Sequence, residues 1–278
     1  MKIFRLLPIT IPAVIAVALI ACTAVPETGR KRLSLFDAQG SKFTTAGLAQ
    51  FQKYKQSRKI SRNPRYTQPL ARVAQRLTRV IDLPNAKWEF VVFVDSSPNA
   101  FALPGGKVGV HTGLFTVAQN EAQLAAVVGH EIGHVVAGHA AERMSHSTLT
   151  SIGGALLGAA TQGSNSANSI AQAYGMGAKY GAILPFSRTH ELEADKMGAL
   201  YMARAGYDPR EAATFWQGMA NHAKKTGNAR QAEFMSTHPV NSRRIAELNA
   251  FMPRAMSEWR QIGLSPASTA ESGSLVLR

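Results

Sequence analysis

The segment His130-Glu131-Ile132-Gly133-His134 constrains this chain more than any other part of its sequence. It lies within a predicted helix that begins near Asn120 and continues to about Met144. Histidines four positions apart project from the same helix face, so both imidazoles can bind one zinc ion. Glu131 points to the edge of that face, where it can reach a water molecule without binding the metal. The alternative is a pair of core histidines beside a surface glutamate.

A catalytic zinc site also needs a third protein ligand and an open fourth position. Glu191 and Asp195 lie four positions apart on a later predicted helix and share its small-residue face, whereas Glu193 falls on the other side. Two carboxylates on such a face are costly to bury without a cation. Glu191 is therefore the predicted third ligand, and Asp195 can accept a hydrogen bond from a ligand imidazole. The alternative is a solvated acidic face.

Two nearby histidines are not expected to bind the metal. His139 follows His130 by nine positions, which places it about 180° around a continuous helix. We expect His139 to pack or to form hydrogen bonds. His190 precedes Glu191 directly and points about 100° away from it.

The N-terminal residues predict export. Lys2 and Arg5 precede an apolar run that ends in Leu-Ile-Ala-Cys, which resembles the bacterial lipoprotein signal, where cleavage precedes a cysteine that carries lipid. The mature chain is therefore expected to begin at Cys22, the only cysteine, with a signal peptide over 1–21. The alternative is an ordinary signal peptide near an unmodified thiol. Thr23, in place of the aspartate that often retains lipoproteins at the inner membrane, favours the periplasmic face of the outer membrane.

The remaining pattern predicts an α+β domain that is mainly helical. Residues 23–33 have turn and charge chemistry without periodicity and predict a tether. The glycine- and serine-rich stretch 151–184 is expected to form a flap or loosely packed helices. The other predicted elements are a helix from Pro64 to about Ile81 capped by Asn63, a strand over 88–94, two short strands around a Pro-Gly-Gly turn in 99–110, and helices over 187–206, after Asp208, and over about 241–251.

Three segments together resemble the HtpX-type zinc metallopeptidases: the histidine motif, the Glu-x-x-Ala-Asp segment ending at Asp195, and Asn99–Gly106. Relatives in that family include the CAAX prenyl endopeptidases, the Oma-type mitochondrial proteases and the BepA-like proteins. With the lipoprotein signal, the chain is most similar to the LoiP-like outer-membrane lipoproteins. The resemblance covers roughly residues 65–250 and implies a gluzincin domain with a small sheet beside the zinc-binding helix. It further implies one Zn²⁺ per subunit, held by His130, His134 and Glu191, with Glu131 as catalytic base.

The same resemblance gives roles to His238 and Arg244, which lie six positions apart. In the family, residues at these positions reach the metal centre. Two tasks stay open: stabilising the oxyanion, or occupying the open zinc position as a self-inhibiting ligand. Without the resemblance, a histidine before a proline is a loop residue.

The expected domains are a lipidated N-terminus, tether and helical region over 22–63, a metallopeptidase domain over 64–262, and a flexible tail over 263–278. We expect the exposed strand at Asn99, Ala100, Phe101 and Ala102 to bind an extended substrate peptide. The predicted function is zinc-dependent cleavage of misfolded or unassembled envelope proteins. The alternative is a chaperone or assembly factor for outer-membrane proteins, with latent protease activity.

Composition limits the remaining partners. The 278 residues are 45% hydrophobic and carry 31 basic against 17 acidic side chains, a formal net charge of +14. This is a globular composition, and it excludes intrinsic disorder. Nothing resembles a nucleic-acid-binding module, so no nucleic-acid partner is expected. An arginine stripe on the first predicted helix is either solvated or contacts anionic lipid or an acidic partner, as in a lipid-surface adaptor; it comprises Arg65, Arg72, Arg76 and Arg79.

Overall fold

The structure is a computed structural model that describes residues 22–162, 164, 166–178, 184–226, 234, 237–264 and 276–277. The predicted signal peptide lies outside these residues. In chain order the described elements are β1 (Cys22–Ala24), β2 (Lys31–Leu33), α1 (Ser41–Ser57), α2 (Pro64–Leu77), β3 (Glu89–Phe93), β4 (Ala100–Leu103), β5 (Lys107–His111), a 3₁₀ turn (Thr112–Thr116), α3 (Glu121–Val136), α4 (His139–Ala160), α5 (Ala167–Ala178), α6 (Leu184–Arg204), α7 (Glu211–Thr226), α8 (Ser242–Leu264) and β6 (Val276–Leu277).

A small mixed sheet flanks the central helix α3, which confirms the predicted α+β class. The strand order is β4-β5-β3-β6, with β3 parallel to β5 and β4 antiparallel to β5. Strands β3 and β5 are buried throughout, as expected for a sheet covered on both faces. Gly105 and Gly106 have φ of 84° and 78°, which L side chains rarely adopt, and they form the predicted turn between β4 and β5. Strand β4 is thus an edge of the sheet, packed beside α3.

The helix that carries the histidine motif is shorter than the sequence predicts. Asn120 caps it as expected by accepting a hydrogen bond from the Gln123 amide at 2.8 Å. The predicted continuation to Met144 is wrong, because Gly138 has φ of 68° and ends the helix in a left-handed conformation. Helix α4 begins at the next residue, so His139 does not continue the spiral of α3.

The predicted tether over 23–33 is instead a docked hairpin. Strands β1 and β2 pair antiparallel, with Thr23 opposite Arg32. Arg30 forms ion pairs of 2.7 Å with both Glu142 and Glu193. Turn residues and charges favoured a tether because the partners that hold this segment lie more than 100 positions away.

Several helix boundaries differ from the predicted ones. Helix α6 begins at Leu184 rather than Ser187, and α8 continues through Pro253 to Leu264. Part of the predicted flap over 151–184 is helical, in α4 and α5, and the rest lies outside the described residues. Most of the predicted tail over 263–278 also lies outside them, but Val276–Leu277 pairs in parallel with Glu89–Phe90, so this end of the tail is a strand.

Within the described residues, no helix combines the length and apolarity required to cross a membrane.

The arginine stripe on α2 is partly satisfied within the fold. Arg72 forms an ion pair of 2.7 Å with Glu121, and the Arg76 guanidinium lies 4.0 Å from the centre of the Tyr207 ring. The stripe therefore has intramolecular partners, which weakens the adaptor hypothesis.

Close contact between α3 and α6 brings the two predicted ligand helices together. Glycines at the crossing allow this approach, since a Cβ on Gly198 would lie 3.0 Å from the His130 backbone nitrogen and 3.3 Å from the Gly129 carbonyl carbon. A side chain at Gly198 would thus press on the backbone that carries the first histidine.

We predict that Gly198→Ala lowers the free energy of unfolding of the metal-free protein by about 1–3 kcal/mol, because a methyl group would overpack this crossing. The matched control is Gly158→Ala in α4, where no atom lies within 4 Å of the added carbon. The control is expected to be neutral or to stabilise the protein by up to about 1 kcal/mol. Urea unfolding of both variants measures the difference, and equal stability would contradict the predicted close packing.

Candidate metal centre and active site

Three predicted ligand atoms converge between α3 and α6. The Nε2 atoms of His130 and His134 lie 3.1 Å apart. Glu191 places Oε2 at 3.4 Å from His130 Nε2 and Oε1 at 3.3 Å from His134 Nε2. His130 and Glu191 are buried, and His134 is partly exposed. The structure therefore brings the two helices together as the sequence predicts.

These spacings fit a tetrahedral zinc ion. With zinc bonds of roughly 2.0–2.1 Å to nitrogen and oxygen, neighbouring ligand atoms lie about 3.3 Å apart. The observed separations of 3.1–3.4 Å match this value. Two imidazoles and one carboxylate are also the donor types of a catalytic zinc site. The residues present therefore fit the metal.

Asp195 and Arg244 orient the first ligand. His130 Nδ1 lies 2.9 Å from Asp195 Oδ1, which directs the other ring nitrogen toward the metal position. Arg244 donates to both carboxylate oxygens of Asp195, at 2.5 and 2.8 Å, and its guanidinium stacks 4.1 Å from the Trp216 ring centre. Asp195 thus lies where it was predicted.

The position of Arg244 is that of a buried positioning residue. Its Nη1 lies 3.0 Å from Glu191 Oε2 but is not aligned for a hydrogen bond. The guanidinium therefore balances the charge of two carboxylates from behind the ligands. This position favours an orienting role over the predicted alternative of direct oxyanion stabilisation.

His139 supports the second ligand. Its Nδ1 lies 2.7 Å from Nδ1 of His134, and its Nε2 lies 3.0 Å from Glu193 Oε2. The expected hydrogen-bonding role of His139 is confirmed. Its predicted position 180° around a continuous helix is wrong, because the helix breaks at Gly138. Glu193 does face away from the metal position, but it is buried against His139.

Glu131 lies beside the ligands without belonging to their group. It is 5% exposed, and its Oε1 has no hydrogen-bond partner among the described residues. Burial raises the pKa of this carboxyl above its usual value. A buried carboxylate oxygen that accepts no hydrogen bond from the described residues and lies next to a metal position is available to accept a proton from water.

His238 reaches the same centre from the segment before α8. Its Nδ1 lies 3.1 Å from Glu191 Oε2 and 3.3 Å from His130 Nε2, and its Nε2 lies 3.5 Å from Glu131 Oε1. His130, His134, Glu191 and His238 form a group whose ligand atoms all lie within 4.8 Å of one another. His238 is thus placed where a fourth ligand would lie.

The protonation of the site is consistent with metal binding. Burial lowers the pKa of His134 well below its usual value, which keeps this imidazole in the neutral form that binds metals. Burial also opposes protonation of His130, but hydrogen bonds to Asp195 and Glu191 raise its pKa to about 9. A metal ion entering the site therefore replaces a proton at His130.

Three supporting residues were not predicted. Trp216 forms a wall of the site, with its ring centre 4.9 Å from that of His130. Glu142 accepts two hydrogen bonds from Arg30 and also contacts His190, which is not among the grouped ligands. The spacing of Glu142 three positions after His139 is the one local feature that could have indicated its supporting role. No feature near Arg30 in the sequence indicates that this arginine has a buried partner.

Comparison with known proteins identifies the family of this site. Residues 64–252 match the model of peptidase family M48. The chain belongs to this family. The match includes His130, His134, Glu191 and His238, and it confirms the family resemblance that the motifs indicate. M48 peptidases use zinc, in agreement with the geometry of the ligands.

The curated relatives include OMA1 proteases and a bacterial protease. The mitochondrial metalloendopeptidase OMA1 of Schizosaccharomyces pombe is 37% identical over 186 residues, covering 67% of this chain and 53% of that protein. Human OMA1 is 29% identical over 257 residues, covering 88% and 49%. The beta-barrel assembly-enhancing protease of Escherichia coli K12 is 30% identical over 217 residues, covering 74% and 44%. The chain thus spans about half the length of the curated relatives it matches.

We predict that the purified protein binds one zinc ion and that His134→Ala loses this tight binding, because one imidazole of the four-residue ligand group is removed. Saturating zinc at a thousand times its Kd would stabilise the wild type by about 4 kcal/mol. Thermal unfolding with and without a chelator measures this shift. His222→Ala, in α7 outside the ligand group, is the control and should keep the shift. A shift that persists in His134→Ala would contradict the assigned site.

Proposed function

We propose that the protein is a zinc-dependent endopeptidase of the bacterial cell envelope that cleaves misfolded or unassembled proteins. The observation that carries this proposal is the spacing of two imidazoles and one carboxylate at 3.1–3.4 Å beside the buried carboxyl of Glu131. Membership of peptidase family M48 supports the reaction class.

Glu131 performs the proton transfers in this proposal. Zinc held by His130, His134 and Glu191 supplies Lewis acidity, which makes water a nucleophile near neutral pH. Glu131 accepts the proton of the attacking water and delivers it to the departing amine. Burial raises the pKa of Glu131 above its usual value, which makes this carboxylate a stronger base toward water.

His238 regulates access in this proposal. Its Nδ1 lies as far from two ligand atoms as the ligands lie from each other, which supports the self-inhibiting alternative. If zinc is held by His130, His134 and Glu191, His238 would be its fourth ligand in the resting enzyme and would have to withdraw before substrate binds. After withdrawal, it remains close enough to serve as a donor to the oxyanion.

Strand β4 is the proposed docking edge for substrate. It is the edge of the sheet nearest α3, and an extended peptide can add to such an edge through backbone hydrogen bonds. Such pairing requires an unfolded segment but tolerates many side chains, so it suits misfolded proteins. The name of the Escherichia coli relative links that protein to β-barrel assembly, which supports the choice of an unfolded β-barrel protein as the test substrate.

The proposed location is the periplasmic face of the outer membrane. The lipoprotein signal carries this part of the proposal, with lipid attached to Cys22. The exposed position of Cys22 at the start of β1 is compatible with a lipid anchor.

A second candidate function is the holding of unassembled outer-membrane proteins. The position of His238 favours it, because a closed resting site separates substrate binding at β4 from cleavage. In this case cells would require the binding edge but not Glu131.

We predict that Glu131→Gln retains zinc but loses hydrolysis of an unfolded β-barrel protein by a factor of about 100 or more, because the proton acceptor is removed. Zinc content and a gel-based cleavage assay measure the two properties. Glu247→Gln, an exposed substitution in α8, is the control.

Residual activity in Glu131→Gln close to that of wild type would remove Glu131 from the mechanism. Full function of this variant in cells would favour the holding role, and equal cleavage of folded and unfolded substrates would contradict quality control.

We also predict that Ala102→Pro weakens cleavage of unfolded substrates while zinc affinity is unchanged. The His111 amide donates to the Asn99 carbonyl, so alternation along β4 points the Ala102 N–H away from β5 and toward the free edge. Proline removes this donor without breaking the β4–β5 ladder. Ala102→Ser keeps the donor and is the matched control. Equal kcat/KM for the two variants would show that substrate does not pair with β4.

A further inference from the structure

Each of the two metal-facing imidazoles is supported by a carboxylate that pairs with an arginine. For His130 the support is direct: Nδ1 contacts Asp195, which binds Arg244. For His134 the support is indirect, because the His139 imidazole lies between His134 and the carboxylate. The supporting residues are His139, Glu193 and Arg30, and we call this set with His134 the His134 series.

The protons of the His134 series follow from the metal site. If His134 Nε2 is to bind zinc, its proton must lie on Nδ1, which then donates to His139 Nδ1 at 2.7 Å. His139 then carries its own proton on Nε2 and donates it to Glu193 Oε2 at 3.0 Å. Every donor in the series therefore points away from the metal and toward one carboxylate.

Arg30 holds that carboxylate from the N-terminal hairpin. Its Nε donates to Glu193 Oε2 at 2.9 Å, and the neighbouring Thr28 hydroxyl also donates to Glu193. Glu193 is 4% exposed, so its charge depends on this partner for compensation. Without Arg30, a buried carboxylate would face His139 with its charge unbalanced.

Arg30 also fixes His139 from a second side. Its two terminal nitrogens donate to Glu142 at 2.8 and 2.7 Å. Glu142 accepts in turn from His190 at 3.0 Å, and the His190 ring stacks on His139 with ring centres 3.9 Å apart. One guanidinium thus contacts both carboxylates that hold the two stacked imidazoles.

We propose that Arg30 is a positioning residue of the zinc site: through Glu193 and His139 it fixes the tautomer and orientation of His134. The hairpin over 22–33 is then part of the metal centre, although it lies before the segment that matches the family model. This inference rests on the proposed function in one respect, namely that His134 is a ligand of zinc.

The test is the zinc affinity of Arg30→Gln, measured by competition with a fluorescent chelator. We expect the Kd to rise about tenfold, at the lower end of the range for outer-shell partners of metal ligands. Glu27→Gln is the matched control, since Glu27 anchors the same hairpin to Arg204 at 2.6 and 2.7 Å but lies outside the His134 series. We expect this control to bind zinc as the wild type does, even if thermal unfolding of its metal-free form shows a similar loss of stability.

Three further variants separate positioning from simple packing. Glu193→Gln should raise the Kd to a similar extent, and the double variant with Arg30→Gln should bind no more weakly than either single variant, because both act through one contact. Arg30→Lys keeps the charge but not the planar fork, so it should fold and show a smaller rise.

The outcomes are distinct from those of the activity experiments. Equal zinc affinity in Arg30→Gln and Glu27→Gln, or additive losses in the double variant, would overturn the positioning role. A wild type that binds zinc tightly but cleaves no protein would overturn the proposed function and leave the role of Arg30 standing.

Discussion

The contact between α3 and α6 is the constraint on which the rest of the structure depends. It places two imidazoles within 3.4 Å of the Glu191 carboxylate, in a setting where water cannot separate them. Such a group is costly to bury by itself, because a carboxylate needs a cation and facing ring nitrogens need a common partner. The glycines at this crossing allow α3 and α6 to approach closely, since larger residues would push the helices apart. The fold is thus arranged around a position for a divalent ion.

Around the metal position, the ligands are followed by carboxylates, and the carboxylates are followed by arginines. The ligands are backed by Asp195 and, beyond His139, by Glu193, and each of these carboxylates is paired with an arginine. One arginine comes from α8 and the other from the N-terminal hairpin, so segments from both sides of the metal helix contribute. A buried ion pair contributes little net stability, but removal of one member leaves an uncompensated charge. These carboxylates and arginines therefore hold orientation more than they add free energy of folding.

Local pattern predicted which residues meet at the site and missed the segments that support them. The spacing of His130 and His134 and the inward face of Glu191 and Asp195 follow from helical geometry, and the turn at Gly105 follows from backbone chemistry. The break at Gly138 was missed because apolar residues continue on both sides of it. Arg30 was missed for another reason: its two partners lie 112 and 163 positions away, and no local periodicity reports such pairs. The family resemblance located His238, which periodicity alone leaves in a loop.

Two features of the site bear on how proteolysis is restrained. His238 lies at ligand distance from the other candidate ligands, and β4, the sheet edge nearest α3, pairs with no second strand among the described residues. If a peptide pairs with β4 as proposed, its carbonyl and the His238 ring would compete for the same position. Binding energy from the edge is then available to displace His238, and a short or folded chain that cannot pair with the edge lacks it. In that proposal, selectivity for unfolded protein follows from pairing at β4, because the same strand would both select the substrate and open the site.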